Sequence, residues 1–524
     1  MMKRIFIILS IISTIAAIGY LGAFAQPNPT GTEKKKTDDT DVTDPENIRR
    51  LEMALTRMRG LEFKKALKVG VKMKAEIKEK MEEDAQKELP EDYDKIRKSL
   101  VKLGLIPEDL NLREFMIDLY TEQIGGFYDP KEKELFLVTN AENPNIDMLE
   151  SLGISWNTLA TLHEMTHALQ DQNFNLLTLP MDEMTNDDVS TAVKSLVEGE
   201  ATFVMYDYML RQRGLDLILL PDMSDQMENM GPLSGRSLID NAPIYIKEGL
   251  IFPYTKGLEF VKFVKARGGW ESINTAYADL PASTEQILHP EKYLMDRDYP
   301  MAITIPDISA ILTSTKWTLL LDNVMGEFSI SLLKKQFFPT FTSKRMSEGW
   351  DGDKFQVWDD IVNKHSALIW FTTWDEENEA REFFNGYKKI ITEKYKGVTN
   401  ELPLVKLLSR EQNKSVWELG RTISATYKTS TGETTELKTI QKNTLVSIEQ
   451  RGSDVLVLED IPIDIHDGLA KTLWEKITRA EVKEVLRVEP PKEEPKDKDN
   501  APKDEKPKDS QPADQKSPVE KEKK

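Results

Sequence analysis

The segment His163-Glu164-Met165-Thr166-His167 lies in the apolar run from Asn157 to Gln172. On a helix, residues four apart share a face, so His163 and His167 can offer two imidazole nitrogens to one metal ion while Glu164 points toward a water on that ion. Two imidazoles, a carboxylate and a metal-polarised water are the parts of a hydrolytic zinc site. The whole chain has 5 histidines, so finding two at this spacing carries information. The bland reading is a pair of core or surface imidazoles with Glu164 exposed.

A catalytic zinc ion takes three protein ligands and leaves one position open, so a third ligand is needed. The arrangement with Gly and His three and six residues beyond the second histidine is excluded, because Gln170 and Asn173 stand there. A second helix, expected over Val189 to Arg211, carries Val197-Glu198-Gly199-Glu200-Ala201. Two residues along a helix turn through about 200°, so Glu198 and Glu200 cannot both face the ion. Small neighbours that let two helices approach favour Glu198 as ligand, with a surface glutamate as the alternative. Glu200 then serves as a partner behind the ligands. Asp171, on the face of the two histidines, could orient a ligand imidazole through its second N–H, with helix-end hydrogen bonding or simple solvation as the equal alternative. His289 and Tyr293, in a Pro-bounded segment, are candidate donors to a developing oxyanion, against a capping or packing role.

The elements that position these residues follow from periodicity. Helical spacing starts at Ile48, a short strand is expected over Ala66–Val71, and helices are expected over Met73–Lys87, Tyr93–Leu103 and Leu112–Ile124, with Pro90 ending the first of these three. Gly125–Pro130 and Glu134–Thr139 read as a hairpin before the histidine helix. Asp222–Ala242 reads as an exposed loop, with helices near Thr255–Ala266 and Trp270–Tyr277 beyond it. Further on, the expectations are a strand at Leu368–Thr373, a helix from Glu376 to Tyr395, strands around the Arg451-Gly452 turn and a last helix over Leu469–Arg479.

Composition bounds the setting. The hydrophobic fraction of 39% over 524 residues is enough for buried cores. Cysteine is absent, which excludes disulfides, thiolate metal sites and a cysteine nucleophile, and suits a bacterial envelope. The formal net charge of −19 argues against a nucleic-acid partner. Lys3-Arg4, an apolar run and Ala23-Phe24-Ala25 have the order of a secretory signal, so residues 1–25 are expected to be a signal peptide. An uncleaved membrane anchor is the alternative. Residues 26–44 read as a flexible linker, 45–300 as the zinc-bearing domain, 301–488 as a C-terminal α+β region and 489–524 as a disordered charged tail.

The pattern His163-Glu164-x-x-His167 with Glu198-Gly199 resembles the gluzincin zinc metallopeptidases. Glu122-Gln123, Gly126-Phe127-Tyr128-Asp129-Pro130, Leu169-Gln170-Asp171-Gln172 and Ser283-Thr284-Glu285-Gln286 with His289-Pro290 resemble a group of uncharacterised exported bacterial proteins with a peptidase-like core. The likeness runs from about Ile48 to Thr373 and lacks the aminopeptidase amine-recognition motif. It implies a helix-rich α+β fold with a gluzincin-like core and a small mixed sheet. It also implies one Zn2+ ion on His163, His167 and Glu198, with Glu164 as base. The expected function is an exported, periplasmic or extracellular metallopeptidase that hydrolyses polypeptide by Glu-assisted attack of zinc-bound water. The rival readings are an inactive peptidase-like binding protein of the cell envelope and a zinc hydrolase of a non-peptide amide or ester.

Overall fold

Asp44 accepts from the Glu46 N–H and Gly60 takes a left-handed conformation (φ 73°), which together bound helix α1 (Pro45–Arg59). Strand β1 (Lys68–Met73) and helices α2 (Lys74–Lys87), α3 (Pro90–Leu103) and α4 (Leu112–Gln123) follow. Pro90 begins a helix instead of ending one: it has no N–H to satisfy, and the first helical turn requires none. Strands β2 (Gly126–Asp129) and β3 (Glu134–Thr139) form the expected antiparallel hairpin. β1 joins it parallel to β3, giving a small mixed sheet of order β1-β3-β2.

Three long helices come next: α5 (Trp156–Phe174), α6 (Asp187–Arg211) and α7 (Ile244–Ala278). The Ser155 side chain caps α5 by accepting from Thr158 N, and Asn175 closes it in the left-handed region (φ 57°). Asn186 caps α6, with Asp187 and Asp188 at the positive end of its dipole. α7 starts well before the expected Thr255 because it runs through Pro253, and it is interrupted at Gly269 (φ 67°). Packing on α6 holds the helix together across a proline that local propensity alone would treat as a boundary. Two short helices, α8 (Thr284–Leu288) and α9 (Pro290–Leu294), lead to strand β4 (Met301–Thr304).

The remaining chain builds a seven-stranded sheet from β5 (Trp317–Asn323), β6 (Trp350–Asp360), β7 (His365–Trp374), β8 (Val405–Arg410), β9 (Lys414–Lys428), β10 (Thr434–Arg451) and β11 (Asp454–Pro462). The order is β5-β6-β7-β11-β10-β9-β8, and all six pairings are antiparallel. Helix α10 (Gly326–Phe337) follows β5, and α11 (Glu377–Lys394) follows β7. Alternation along β7 splits its residues between two cores. Leu368 and Trp370 join Phe383, Tyr387 and Ile330 on one face, while Ala367, Ile369 and Phe371 join Leu469 and Leu473 on the other. The last expected helix is displaced: α12 spans Ile463–Lys476, and the chain then turns into strand β12 (Thr478–Glu481), which pairs with β4.

The fold is α+β, with twelve α-helices among the described residues. The computed structural model describes residues 44–87, 90–139, 155–221, 238–312, 316–338, 346–396, 405–428 and 434–488. The expected signal peptide, most of the linker, the charged tail and positions 222–237 of the expected loop lie outside them. The end of that loop is partly buried: Leu238–Asn241 is a 3-10 turn with Ile239 buried and Asn241 exposed. No described helix is long and apolar enough to cross a membrane. The expected boundary at 300/301 falls within one packed unit that runs to Val488, in which Leu103 and Leu105 enter the core of the large sheet.

Gly199 and Gly257 set the approach of α6 to α7. A Cβ on Gly199 would be driven into the Gly257 carbonyl, and one on Gly257 into the Ser195 carbonyl. The close contact that Gly199 permits is therefore with α7 and not with the histidine helix. The substitution Gly199→Ala requires a backbone displacement and is expected to destabilise the protein by about 1–3 kcal/mol, read as a lower midpoint in denaturant unfolding.

Candidate metal centre

The histidine helix α5 is almost wholly buried along the motif. His163 is 3%, Glu164 0% and His167 7% exposed. The mixed sheet lies against it on one side: a Cβ on Gly126 of β2 would sit 3.4 Å from Glu164 Cγ. Helix α6 lies beside it and brings Glu198 to the two imidazoles. His163 Nε2 and His167 Nε2 are 3.1 Å apart, and Glu198 Oε2 is 3.2 Å from the first and 3.3 Å from the second. A tetrahedral zinc ion with bonds of about 2.0–2.1 Å holds neighbouring donors roughly 3.3–3.4 Å apart. The three donor atoms thus form a triangle of the size that one such ion requires, and the donor chemistry, His2Glu, suits zinc.

The surroundings orient the ligands. His167 Nδ1 lies 2.8 Å from Gln170 Oε1, an acceptor, so Nδ1 carries the proton and Nε2 presents its lone pair. Gln170 is fixed in turn by donating to Val197 O (2.9 Å) and to Glu200 Oε2 (3.0 Å). Glu200 is completely buried, and it also accepts from the Arg59 guanidinium and the Tyr277 hydroxyl. Arg59 donates to Asn274 Oδ1 at 2.7 Å and stacks over Trp270, its carbon 4.4 Å from the ring centroid. Glu198 and Glu200 therefore face opposite ways, one toward the histidines and the other into this polar network.

The charges respond to that placement. Burial alone would raise the Glu198 carboxyl, but the two imidazoles hold it down to about 2. Burial works against a charged His167, yet the Glu198 carboxylate, helped by Glu164, lifts it to about 9. His163 is pushed down by burial and by its neighbour His167, against the pull of Glu198. Before an ion binds, His167 is therefore held as the imidazolium, protonated at Nε2 as well as Nδ1, and His163 as the neutral imidazole.

Other expected residues are placed elsewhere. Asp171 does not orient an imidazole. Its carboxylate accepts from the Tyr128 hydroxyl and Lys133 Nζ, both at 2.7 Å, and from Leu176 N at 3.2 Å, and so ties β2 to the end of α5. Gln170 holds the position that was expected of it. His289 pairs with Glu327 of α10 at 3.2 Å, which raises its pKa, and Tyr293 donates to Asp279 O at 2.7 Å under the Arg297 guanidinium. Both are engaged in packing α9 and α10 and are not placed as donors to the ligand triangle. The hydroxyl side chain nearest the centre on α7 is that of Tyr254, which is buried, has its ring centroid 6.2 Å from that of His163, and has its pKa raised by burial and by the Glu198 and Glu164 carboxylates. Tyr254 was missed because Pro253 hid the first turns of α7. Arg59, Gln170 and Tyr277 were missed because their roles depend on helices far apart in the chain. A second acidic group, Glu285, Asp298 and Asp375, converges on Lys292 Nζ at 2.7, 2.8 and 3.2 Å, so an ammonium already stands where a cation would.

A family model described as a domain of unknown function (DUF8575) matches residues 318–462. That span covers the seven-stranded sheet with α10 and α11 and leaves the histidine helix and Glu198 outside it. No curated protein and no solved structure matches the chain.

Two outcomes follow from the geometry. Gln170→Leu leaves His167 without its Nδ1 acceptor and should weaken zinc binding by about 10–100-fold, measured by competition with a chromophoric chelator. Zinc must displace the proton on His167, so its affinity should fall about tenfold per unit as pH drops below about 9. Calorimetry at pH 7 in buffers of different ionisation enthalpy should register about one proton released per ion.

Proposed function

We propose that the chain is an exported zinc-dependent metallopeptidase with a gluzincin-like core, in which His163, His167 and Glu198 hold one Zn2+ and Glu164 is the general base. The observation that carries this reading is the triangle of three donor atoms 3.1–3.3 Å apart, with a fully buried Glu164 one residue from the first ligand. When bound, zinc would supply a water of lowered pKa and a Lewis acid for a substrate carbonyl oxygen. Glu164 takes up the proton of the attacking water and returns it to the leaving amine. Its burial between α5 and β2 keeps bulk water from competing for that proton. Tyr254, whose ring centroid lies 6.2 Å from that of His163, is the residue we assign as donor to charge developing on the carbonyl oxygen. The substrate is polypeptide, and the signal-like order of Lys3-Arg4, an apolar run and Ala23-Phe24-Ala25 supports export to the periplasm or beyond.

Glu164→Gln removes the base and keeps the shape of the side chain. Cleavage of an unstructured protein such as casein should fall by about 10²–10⁴-fold, while zinc content measured by atomic absorption stays at one ion per chain. A zinc-loaded parent protein that cleaves no peptide substrate, with or without chelator, would overturn the assignment.

A further inference from the structure

After β12 the chain does not leave the molecule at the large sheet. It returns to the metal-bearing half as a strap, Val482–Val488. Val482 N donates to Pro300 O at 3.1 Å, Val485 packs against the core formed by α6 and α7, and Val488 N donates to Thr178 O at 2.9 Å. The strap lies beyond the matched domain, which ends at residue 462.

Arg487 is the polar anchor of this strap. Its guanidinium donates to Phe174 O (2.7 Å), Thr178 Oγ1 (2.6 Å) and Tyr277 O (2.6 Å). Phe174 is the last residue of the histidine helix α5, and Tyr277 lies in the last turn of α7. One cation therefore serves the carbonyl ends of two helices, where the dipoles favour positive charge, and it binds neutral acceptors there instead of a carboxylate. The rings of the same two residues are stacked, with centroids 4.0 Å apart and planes 2° from parallel. From that pair a continuous line of hydrogen bonds leads to the metal centre: Tyr277 hydroxyl to Glu200, Gln170 to Glu200, and His167 Nδ1 to Gln170.

We propose that the strap is a positioning element of the metal centre, in which Arg487 clamps the Phe174–Tyr277 pair and thereby fixes the orientation of His167 through Glu200 and Gln170. This rests on the reading of His163, His167 and Glu198 as zinc ligands. The strap makes ligand geometry depend on the chain segment that follows the large sheet, with Arg487 as the side chain that carries this dependence to the histidine helix.

The test uses the full chain with zinc alone, by chelator competition, and the visible absorption of the cobalt-substituted protein. Arg487→Ala should weaken zinc binding by about tenfold and shift the cobalt ligand-field bands. Arg487→Lys, which keeps the cation but loses the fork, should fall between it and the parent. Tyr277→Phe keeps the ring stacking and removes the donor to Glu200, and it should weaken zinc to a similar degree. The double variant should be no weaker than either single one, because both break the same line. Arg381→Ala removes a guanidinium that donates to Gln412 O and Asn413 Oδ1 at the far sheet, and it should leave zinc affinity and cobalt bands unchanged. Parent-like zinc binding in Arg487→Ala, additive losses in the double variant, or an equal loss in Arg381→Ala would each overturn the strap while leaving the zinc site standing. A parent protein that binds no zinc would overturn both.

Discussion

A single buried carboxylate organises the half that carries His163, His167 and Glu198. Glu200 has no solvent exposure, and its charge is tolerable only because Arg59, Tyr277 and Gln170 all donate to it. Those donors come from α1, α7 and α5, so satisfying one carboxylate requires three helices to take fixed positions around α6. Removal of a partner from such a cluster leaves an uncompensated charge, typically a cost of about 3–5 kcal/mol. Because α6 turns through about 200° over two residues, fixing Glu200 in the network also fixes Glu198 on the opposite side, facing the imidazoles. The geometry of the ligands is thus inherited from the need to satisfy their neighbour.

The C-terminal half meets an equivalent requirement in a different way. Its central strands β7 and β11 are packed on both faces, and its attachment to the rest of the chain is partly ionic. Lys394 pairs with the fully buried Glu459 at 2.7 Å, and Lys102 of α3 reaches Asp460 at 3.3 Å, with the Tyr387 and Tyr395 hydroxyls completing the Glu459 shell at 2.6 Å. Buried pairs of this kind add little net stability over an apolar equivalent, but they penalise any other placement of α3 on the sheet. The helices that carry His163, His167 and Glu198 and the sheet are consequently held in register by polar contacts at α3 and at the C-terminal strap, and by apolar packing of α10 against α6 and α7.

Much of this was legible in the chain before folding. The four-residue spacing of His163 and His167 sets their common face once a helix forms, and apolar periodicity together with caps at Ser155 and Asn186 makes those helices readable. Helix geometry likewise shows that Glu198 and Glu200 cannot both face the histidines, but it does not choose between them, and the small neighbour that favoured Glu198 packs on α7 instead. The β2–β3 hairpin was visible in alternation around a charged turn. The errors arose where a local signal met a stronger tertiary one. Pro253 reads as a boundary yet lies inside α7, and Leu238–Asn241 reads as exposed loop yet buries Ile239. Asp171 sits on the correct face of α5 but is drawn away by Tyr128 and Lys133, whose approach depends on how the hairpin docks.

The sequence by itself determined which side chains could hold a metal, which carboxylate could act as base, and the α+β character of the chain, because these depend on spacing and periodicity within single elements. Only the tertiary structure decided what stands around the candidate ligands: Gln170 in place of Asp171, Arg59 and Tyr277 on Glu200, and the Tyr254 ring near His163 while His289 and Tyr293 are engaged elsewhere. These partners come from segments separated by tens to hundreds of residues, and hydrogen bonds are directional at the scale of an ångström. Periodicity assigns a residue to a face, whereas the partner it meets there is set by how whole helices pack, as at the Gly199–Gly257 contact.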